Sequence, residues 1–305
     1  MEIYPFLFEF EAITPVSFMN YPGITLRGGM GMSMKRALCV MGKDRDDCRS
    51  CILSNTCAYA RVFESPNDKN KRAMKKATHY PHPFVMTPLF EGPVNYDKGD
   101  IFRLSFNLFG NSIKDLQYII HSFIKFGETG IGKERGKFRI SGILHGNDLV
   151  PVYSDSGDID YTRLKPLTIN TPPVLNKVEI EFKTPCRIQK KGRVLKNADF
   201  SEIIKNIVRR KENLSALYCE TLAGCSKDLI SKASEIRKVS ENLKWQQLSR
   251  YSKRQGNRMP LEGFTGTAVF EGDLTPFHEL LKFSEYINIG KNSSFGFGAV
   301  NVQFR

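Results

Sequence analysis

The sequence predicts an α+β protein built in two similar halves, and three observations carry this. Segments alternating apolar and polar residues open each half, at Ile3–Phe10 and at Val178–Phe182. Each half also closes in the order strand, helix, glycine-rich loop, strand. The two closing segments even share Ile-Gly-Lys, at Ile131–Lys133 and Ile289–Lys291, which an internal duplication explains economically. At 305 residues the chain is long for one core and suits two.

In the first half, Phe6, Phe8 and Phe10 share one side of a strand. After the turn at Tyr21-Pro22-Gly23, the run Arg27 to Val40 spaces Met30, Met34, Ala37 and Leu38 as a helix, with Lys35 and Arg36 as a basic patch. Phe102, Leu104, Phe106 and Leu108 alternate as a second strand. Ile113, Leu116, Ile120, Phe123 and Ile124 then recur at helical spacing as far as Phe126. The glycine-rich stretch Gly127 to Lys137 follows, and Phe138 to Leu144 reads as a strand.

Residues 146–176 hold prolines and a Ser-Asp-Ser-Gly run with few periodic apolar positions, as a connector does between domains at 1–145 and 177–305. The second half starts with Val178, Ile180 and Phe182 in alternation, and reads as helical from Asp199 to Leu243. It turns extended around Trp245 to Tyr251 and forms a strand at Thr267 to Phe270. A helix from Pro276 to Ile287, the loop Gly290 to Gly298 and a final strand through Phe304 complete it. Units that open and close in this way fit the βαββαβ ferredoxin-like (RRM-like) plan, twice in tandem.

With 41% apolar residues and 22 phenylalanines the chain can bury a substantial core. No apolar run approaches the roughly 18 residues of a membrane span, and Met1 leads into an alternating strand, so a cytoplasmic protein without a membrane partner is expected. Lysine and arginine total 45 against 32 acidic residues, a net charge of +13 that favours polyanionic partners, nucleic acid first.

Cys39, Cys48, Cys51 and Cys57 fall in one short excursion, whereas Cys186, Cys219 and Cys225 are scattered. An odd total of seven speaks against a disulfide framework. Four thiolates at these spacings suit a structural metal in a cysteine-rich insertion of the first domain, beside the polar run Lys43 to Asp47. Spacing leaves zinc and a [4Fe-4S] cluster both open, although the final two gaps are similar to the cluster loop of endonuclease-III-like DNA glycosylases.

The two glycine-rich loops let backbone N–H groups approach phosphates while Lys133, Arg135, Lys137 or Lys291 neutralise them; tight turns alone would also use such glycines. Neither loop opens a helix after a strand, which excludes a dinucleotide fingerprint. Around Tyr251, the cations Arg250, Lys253 and Arg254 form either a solvated basic strand or a single-stranded RNA grip in which Tyr251 stacks on a base or donates a proton. His79, His82, His121, His145 and His278 show neither metal spacing nor a triad.

The ending Arg250-Tyr-Ser-x-Arg-Gln255, Met259-Pro-Leu-x-Gly-x-x-Gly266, Gly272-Asp-Leu and Gly290-Lys-x4-Gly296-x-Gly298 resembles the CRISPR-associated "Cas-six" endoribonucleases of the RAMP superfamily. Leu26-Arg-Gly-Gly, the cysteine loop running into Cys57-x-Tyr-Ala-Arg-x-Phe63, and Gly130 to Phe138 are similar to one branch of that family. The resemblance implies tandem ferredoxin-like domains and a partner in CRISPR repeat RNA. It also implies a metal-independent cut within each repeat, in which a 2′-hydroxyl attacks the adjacent phosphate and leaves a cyclic phosphate. Family members often place a histidine on the first helix, and Arg27 to Val40 has none. Lys35 and Arg36 are then the candidates for charge stabilisation, and Tyr21 and Tyr251 for proton transfer. Arg27 and Phe295 join Lys133, Arg135, Lys137, Arg250, Lys253, Arg254 and Lys291 as expected RNA contacts. A non-catalytic crRNA-binding subunit of a CRISPR effector complex is the competing expectation, with other subunits as partners. A redox-sensing or partner-docking metal protein whose basic charge is incidental is a third.

Overall fold

The computed structural model describes all residues except 20, 43–47, 49, 65–79, 155, 171–172, 174–175, 220–226 and 253–256, with backbone alone at 227, 249–252 and 257–260. Two compact units result, one of residues 1–167 with 213–222 and the other of residues 168–212 with 223–305.

The first unit runs β1 (Ile3–Ala12), β2 (Val16–Phe18), α1 (Pro22–Leu38), a π-helical turn Ala60–Glu64, β3 (Phe84–Pro88), β4 (Val94–Tyr96), β5 (Ile101–Phe109), α2 (Leu116–Thr129), β6 (Phe138–His145) and β7 (Val150–Pro151). Its sheet has the order β3-β5-β1-β6-β7 and is antiparallel throughout, while β2 and β4 pair separately. Residues expected in a connector thus extend this sheet through β7, and Val152 lies in its core.

Period-two alternation in β1 puts Phe6, Phe8 and Phe10 into the core. There the Phe8 and Phe10 rings meet Phe123 of α2 at centroid distances of 5.3 and 5.2 Å. Each such ring removed from water stabilises the fold by roughly 1.5–3 kcal/mol. Helix α1 lies against α2 at Gly29, where a Cβ would stand 2.0 Å from the tip of the Phe126 ring. That close approach explains a glycine in mid-helix.

The second unit runs β8 (Lys177–Cys186), β9 (Gln189–Lys190), β10 (Arg193–Val194), α3 (Phe200–Tyr218), α4 (Lys227–Lys232), β11 (Arg237–Ser252), β12 (Asn257–Glu271), α5 (His278–Ile287) and β13 (Val300–Phe304). Its sheet order is β11-β12-β8-β13. Without β7, the first sheet reads second, third, first, fourth in order of succession, and the second sheet reads the same. Both are the antiparallel ferredoxin-like arrangement, so the duplication suggested by the two Ile-Gly-Lys segments is present in the topology.

One expectation is corrected. Helix does not persist to Leu243: β11 begins at Arg237, whose register partner is Glu271, and Leu243 lies opposite Gly266. This edge strand exposes both faces over 237–242 and is held by ion pairs, Arg237 with Glu271 and Lys238 with Glu241. It therefore lacks the apolar alternation that marks a strand in sequence.

Candidate active site

Helix α1 starts at Pro22, whose fixed φ suits the first turn, with Tyr21 in the capping position, and ends with Lys35 and Arg36 in its last turn. The helix dipole favours cations at that end. Tyr21 and Lys35 are 14 residues apart, which at 1.5 Å per residue separates their backbones by about 21 Å. The expected catalytic residues on this helix are therefore divided between its two ends.

Lys35 instead faces the cysteine excursion. Burial pushes the Cys48 thiol up, and the Lys35 ammonium beside it opposes that rise. Arg36 is exposed. Tyr251 lies on β11 of the second unit opposite Arg258, next to Arg250 opposite Met259. Nothing is described of these side chains, and Lys253 and Arg254 lie outside the described residues.

Between the ends of α1, the fold brings in a residue that motif reading left unassigned. The Arg27 Nη2 donates to His82 Nε2 at 2.7 Å, which places the ring proton of His82 on Nδ1. Neighbouring rings hold both partners. The guanidinium carbon sits 5.2 Å from the Phe63 centroid, and the imidazole stacks on Phe84 at 5.7 Å and 19°. Phe63 in turn stacks on Tyr59 at 5.6 Å, and burial together with the adjoining Glu64 pushes the Tyr59 phenol far up, so it stays protonated. A cation and an imidazole in contact, both half-buried, can bind a phosphate and move a proton at the same place. The sequence signal for His82 is its position between Pro81 and Pro83, which restricts the backbone on either side.

The other described histidines occupy structural or surface positions. His145 is buried, with Nδ1 2.9 Å from the Pro5 carbonyl and Nε2 2.9 Å from the carbonyl and 3.1 Å from the amide of Lys165. His121 is exposed. His278 is buried with its Nε2 unsatisfied, and its ring meets Phe304 at 4.3 Å. His79 lies outside the described residues.

The two glycine-rich loops differ in kind. In the first, Ile131 and Gly136 exchange backbone hydrogen bonds of 2.9 Å in both directions, closing an exposed tip of Gly132, Lys133, Glu134 and Arg135. Arg135 has φ 51°, and Lys137 is exposed just beyond the tip. A Cβ at Gly136 would lie 2.2 Å from the Pro15 carbonyl, so the loop packs against the chain entering β2. In the second, Asn292 has φ 64° and Gly298 φ 70°, and the Ile289 amide donates to the Gly298 carbonyl at 2.8 Å. This loop turns inward. Phe295 is 8% exposed, too enclosed for an open stacking platform, and Lys291 alone of its expected contacts faces solvent.

Cys39, Cys48, Cys51 and Cys57 are free thiols lining one cavity of about 290 Å³ together with Leu38, Leu53 and Tyr118. This donor set fits a thiolate-ligated group. Among the described residues, no three His, Cys, Asp or Glu side chains are placed to hold a single metal ion. The polar run 43–47 lies outside the described residues. No described helix is long and apolar enough to cross a membrane.

Comparison with known proteins bears on both units. A family described as an N-terminal domain matches residues 1–165, and the family described as CRISPR-associated endoribonuclease Cas6 matches residues 180–300. No curated protein matches the chain. Among solved structures, a Cas6 product complex aligns with a TM-score of 0.58 at 14% identity over 99% of both chains. Cas6 of Thermus thermophilus aligns with a TM-score of 0.56 at 14% identity over 99% of this chain and 98% of its own. A partial Cas6-RT-Cas1–Cas2 complex aligns with a TM-score of 0.59 at 12% identity over the whole of this chain and 46% of the other.

Proposed function

We propose that the chain is a CRISPR-associated endoribonuclease of the Cas6 family, whose model matches residues 180–300, and that it binds CRISPR repeat RNA and cuts precursor transcripts within the repeat. The proposed reaction needs no metal ion. The 2′-oxygen bonds to the adjacent phosphorus, the bond from phosphorus to the 5′-oxygen breaks, and a 2′,3′-cyclic phosphate and a 5′-hydroxyl result.

The Arg27–His82 pair carries this reading. A phosphodiester anion or phosphorane is a better partner for a guanidinium than a neutral imidazole is, so RNA arriving at Arg27 frees Nε2 of His82. That nitrogen then takes the proton of the 2′-hydroxyl while Arg27 balances the charge gathering on the phosphorane oxygens. The 5′-oxygen needs a proton as it departs. Tyr21, six residues before Arg27 and hence about 9 Å along the helix, is the proposed donor, and its phenolic oxygen, buried in the free protein, has to be uncovered for that role. Lys133, Arg135 and Lys137 track the RNA backbone from the exposed loop.

The competing reading, a non-catalytic RNA-binding subunit, rests on the absence of histidine from α1. A radiolabelled cognate repeat incubated with the protein in EDTA separates the two. Cutting at one position, with a cyclic phosphate on the upstream product, supports the nuclease. Tight binding of RNA that stays intact selects the subunit. Related Cas6 chains solved in larger assemblies are the ground for proposing other CRISPR proteins as partners.

A further inference from the structure

The excursion between α1 and the π-helical turn carries its four cysteines on irregular backbone. Val40 is 80% exposed and Ile52 is 85% exposed, so neither apolar side chain anchors it. Its backbone is a succession of tight turns, with the Cys51 amide donating to the Cys48 carbonyl at 3.4 Å, Ser54 to Cys51 at 2.9 Å and Cys57 to Leu53 at 2.8 Å. Its far end is tied to the unit through Arg61, which donates to the Thr56 carbonyl and pairs with Asp115. Yet the four cysteines, spread over the whole excursion, converge on the wall of one cavity. Four free thiols lining one shared space are a donor set for a soft, thiolate-ligated group, and a ligand that takes all four accounts for their arrangement.

The size of the space discriminates between ligands. A zinc ion at about 2.3 Å from each sulfur draws the four sulfurs to within roughly 4 Å of one another. Among the described residues no three side chains of ligating type are placed to hold a single metal ion, and the four cysteines instead line, with other residues, a cavity of about 290 Å³. A cubane fills the middle of its site with its own iron and sulfide atoms and takes one thiolate at each iron corner, so its cysteines stand farther apart.

We propose that Cys39, Cys48, Cys51 and Cys57 ligate a [4Fe-4S] cluster, one thiolate per iron, which fastens the end of α1 to the segment entering the π-helical turn. Each thiol gives up its proton on binding. The cluster is structural: it fixes the C-terminal turn of α1, and with it Lys35, against the segment that carries Tyr59 and Phe63, the rings behind Arg27. This holds whether or not the chain cuts RNA.

The test uses the full chain purified without oxygen, or its apo form reconstituted with ferrous iron and sulfide under reducing conditions. The expected result is about four irons and four sulfides per chain with a broad visible charge-transfer absorbance that dithionite bleaches. Cys48→Ser and Cys57→Ser lose that iron and absorbance, while Cys219→Ser, which lies away from the cavity, retains both. One zinc per chain, no bound metal after reconstitution, or full iron retention in the two cavity variants would each overturn the proposal. If those variants fail to fold, the Mössbauer spectrum of the wild-type chain decides instead: valence-delocalised cubane iron supports the cluster, and mononuclear iron defeats it.

Discussion

Arg27 and His82 are 55 residues apart in sequence and 2.7 Å apart in space, joined by a hydrogen bond whose direction only the guanidinium can give. The pairing places an imidazole beside the first helix of a chain whose first helix has no histidine. His82→Ala is expected to slow single-turnover cleavage of repeat RNA by about 10² to 10⁴. Its binding constant should stay within a few-fold. Single-turnover kinetics beside filter binding check this, and an unchanged rate would remove His82 from the reaction.

Tyr21 and Lys35 stand at opposite ends of α1, so their contributions should be independent. Tyr21→Phe combined with Lys35→Ala is expected to change the cleavage rate by the product of the two single effects, to within about 0.5 kcal/mol. A double-mutant cycle measures the coupling. Strong non-additivity would mean that the two groups meet on one substrate.

The exposed loop tip should act through charge alone. Lys133→Ala with Arg135→Asn, the latter chosen because asparagine tolerates the positive φ at that position, should lower RNA affinity. The slope of log affinity against log salt should flatten by about 1.4, or about 0.7 for each phosphate of a single strand that the protein no longer neutralises. Fluorescence anisotropy across a salt series reads this directly. An unaltered slope would show that the loop does not touch the backbone.

His278 provides a pH dependence. Burial, with a smaller push from Lys282, holds its pKa below the ordinary histidine value. A histidine of depressed folded pKa binds protons more readily once the chain unfolds, so its stabilising effect is present above the unfolded value near about 6.5 and lost as pH falls below it. The melting temperature should therefore drop between about pH 7 and pH 5, and His278→Phe should reduce that drop. A variant with the same acid sensitivity as wild type would place the effect elsewhere.

Sequence alone revealed those elements whose burial follows a simple period. Phe6, Phe8 and Phe10 mark β1 because one face of that strand is core, and Ile120 and Phe123 mark α2 for the same reason at helical spacing. β11 left no such mark over 237–242, where it is solvated on both faces and held by charges. The early start of α1 was hidden by Pro22 and Gly23, which read as a turn after Tyr21 although a proline also suits the first turn of a helix. His82 carried only the local cue of its two flanking prolines, because what makes it interesting is a partner contributed by another element. Phe295 illustrates the converse: a glycine-flanked phenylalanine looks like a platform in sequence, and the fold turns it inward.

In both sheets the strand made first is a central one: β1 lies between β5 and β6, and β8 between β12 and β13. During synthesis at about 5–20 residues per second, β1 leaves the ribosome about 5–20 s before β5 can reach it. For that time Ile3 to Phe10 is an apolar, unpaired strand with two open edges, the kind of segment that recruits chaperones or a neighbouring nascent chain. Duplicating the unit duplicated the wait, since β8 again precedes its neighbour β12 by some eighty residues.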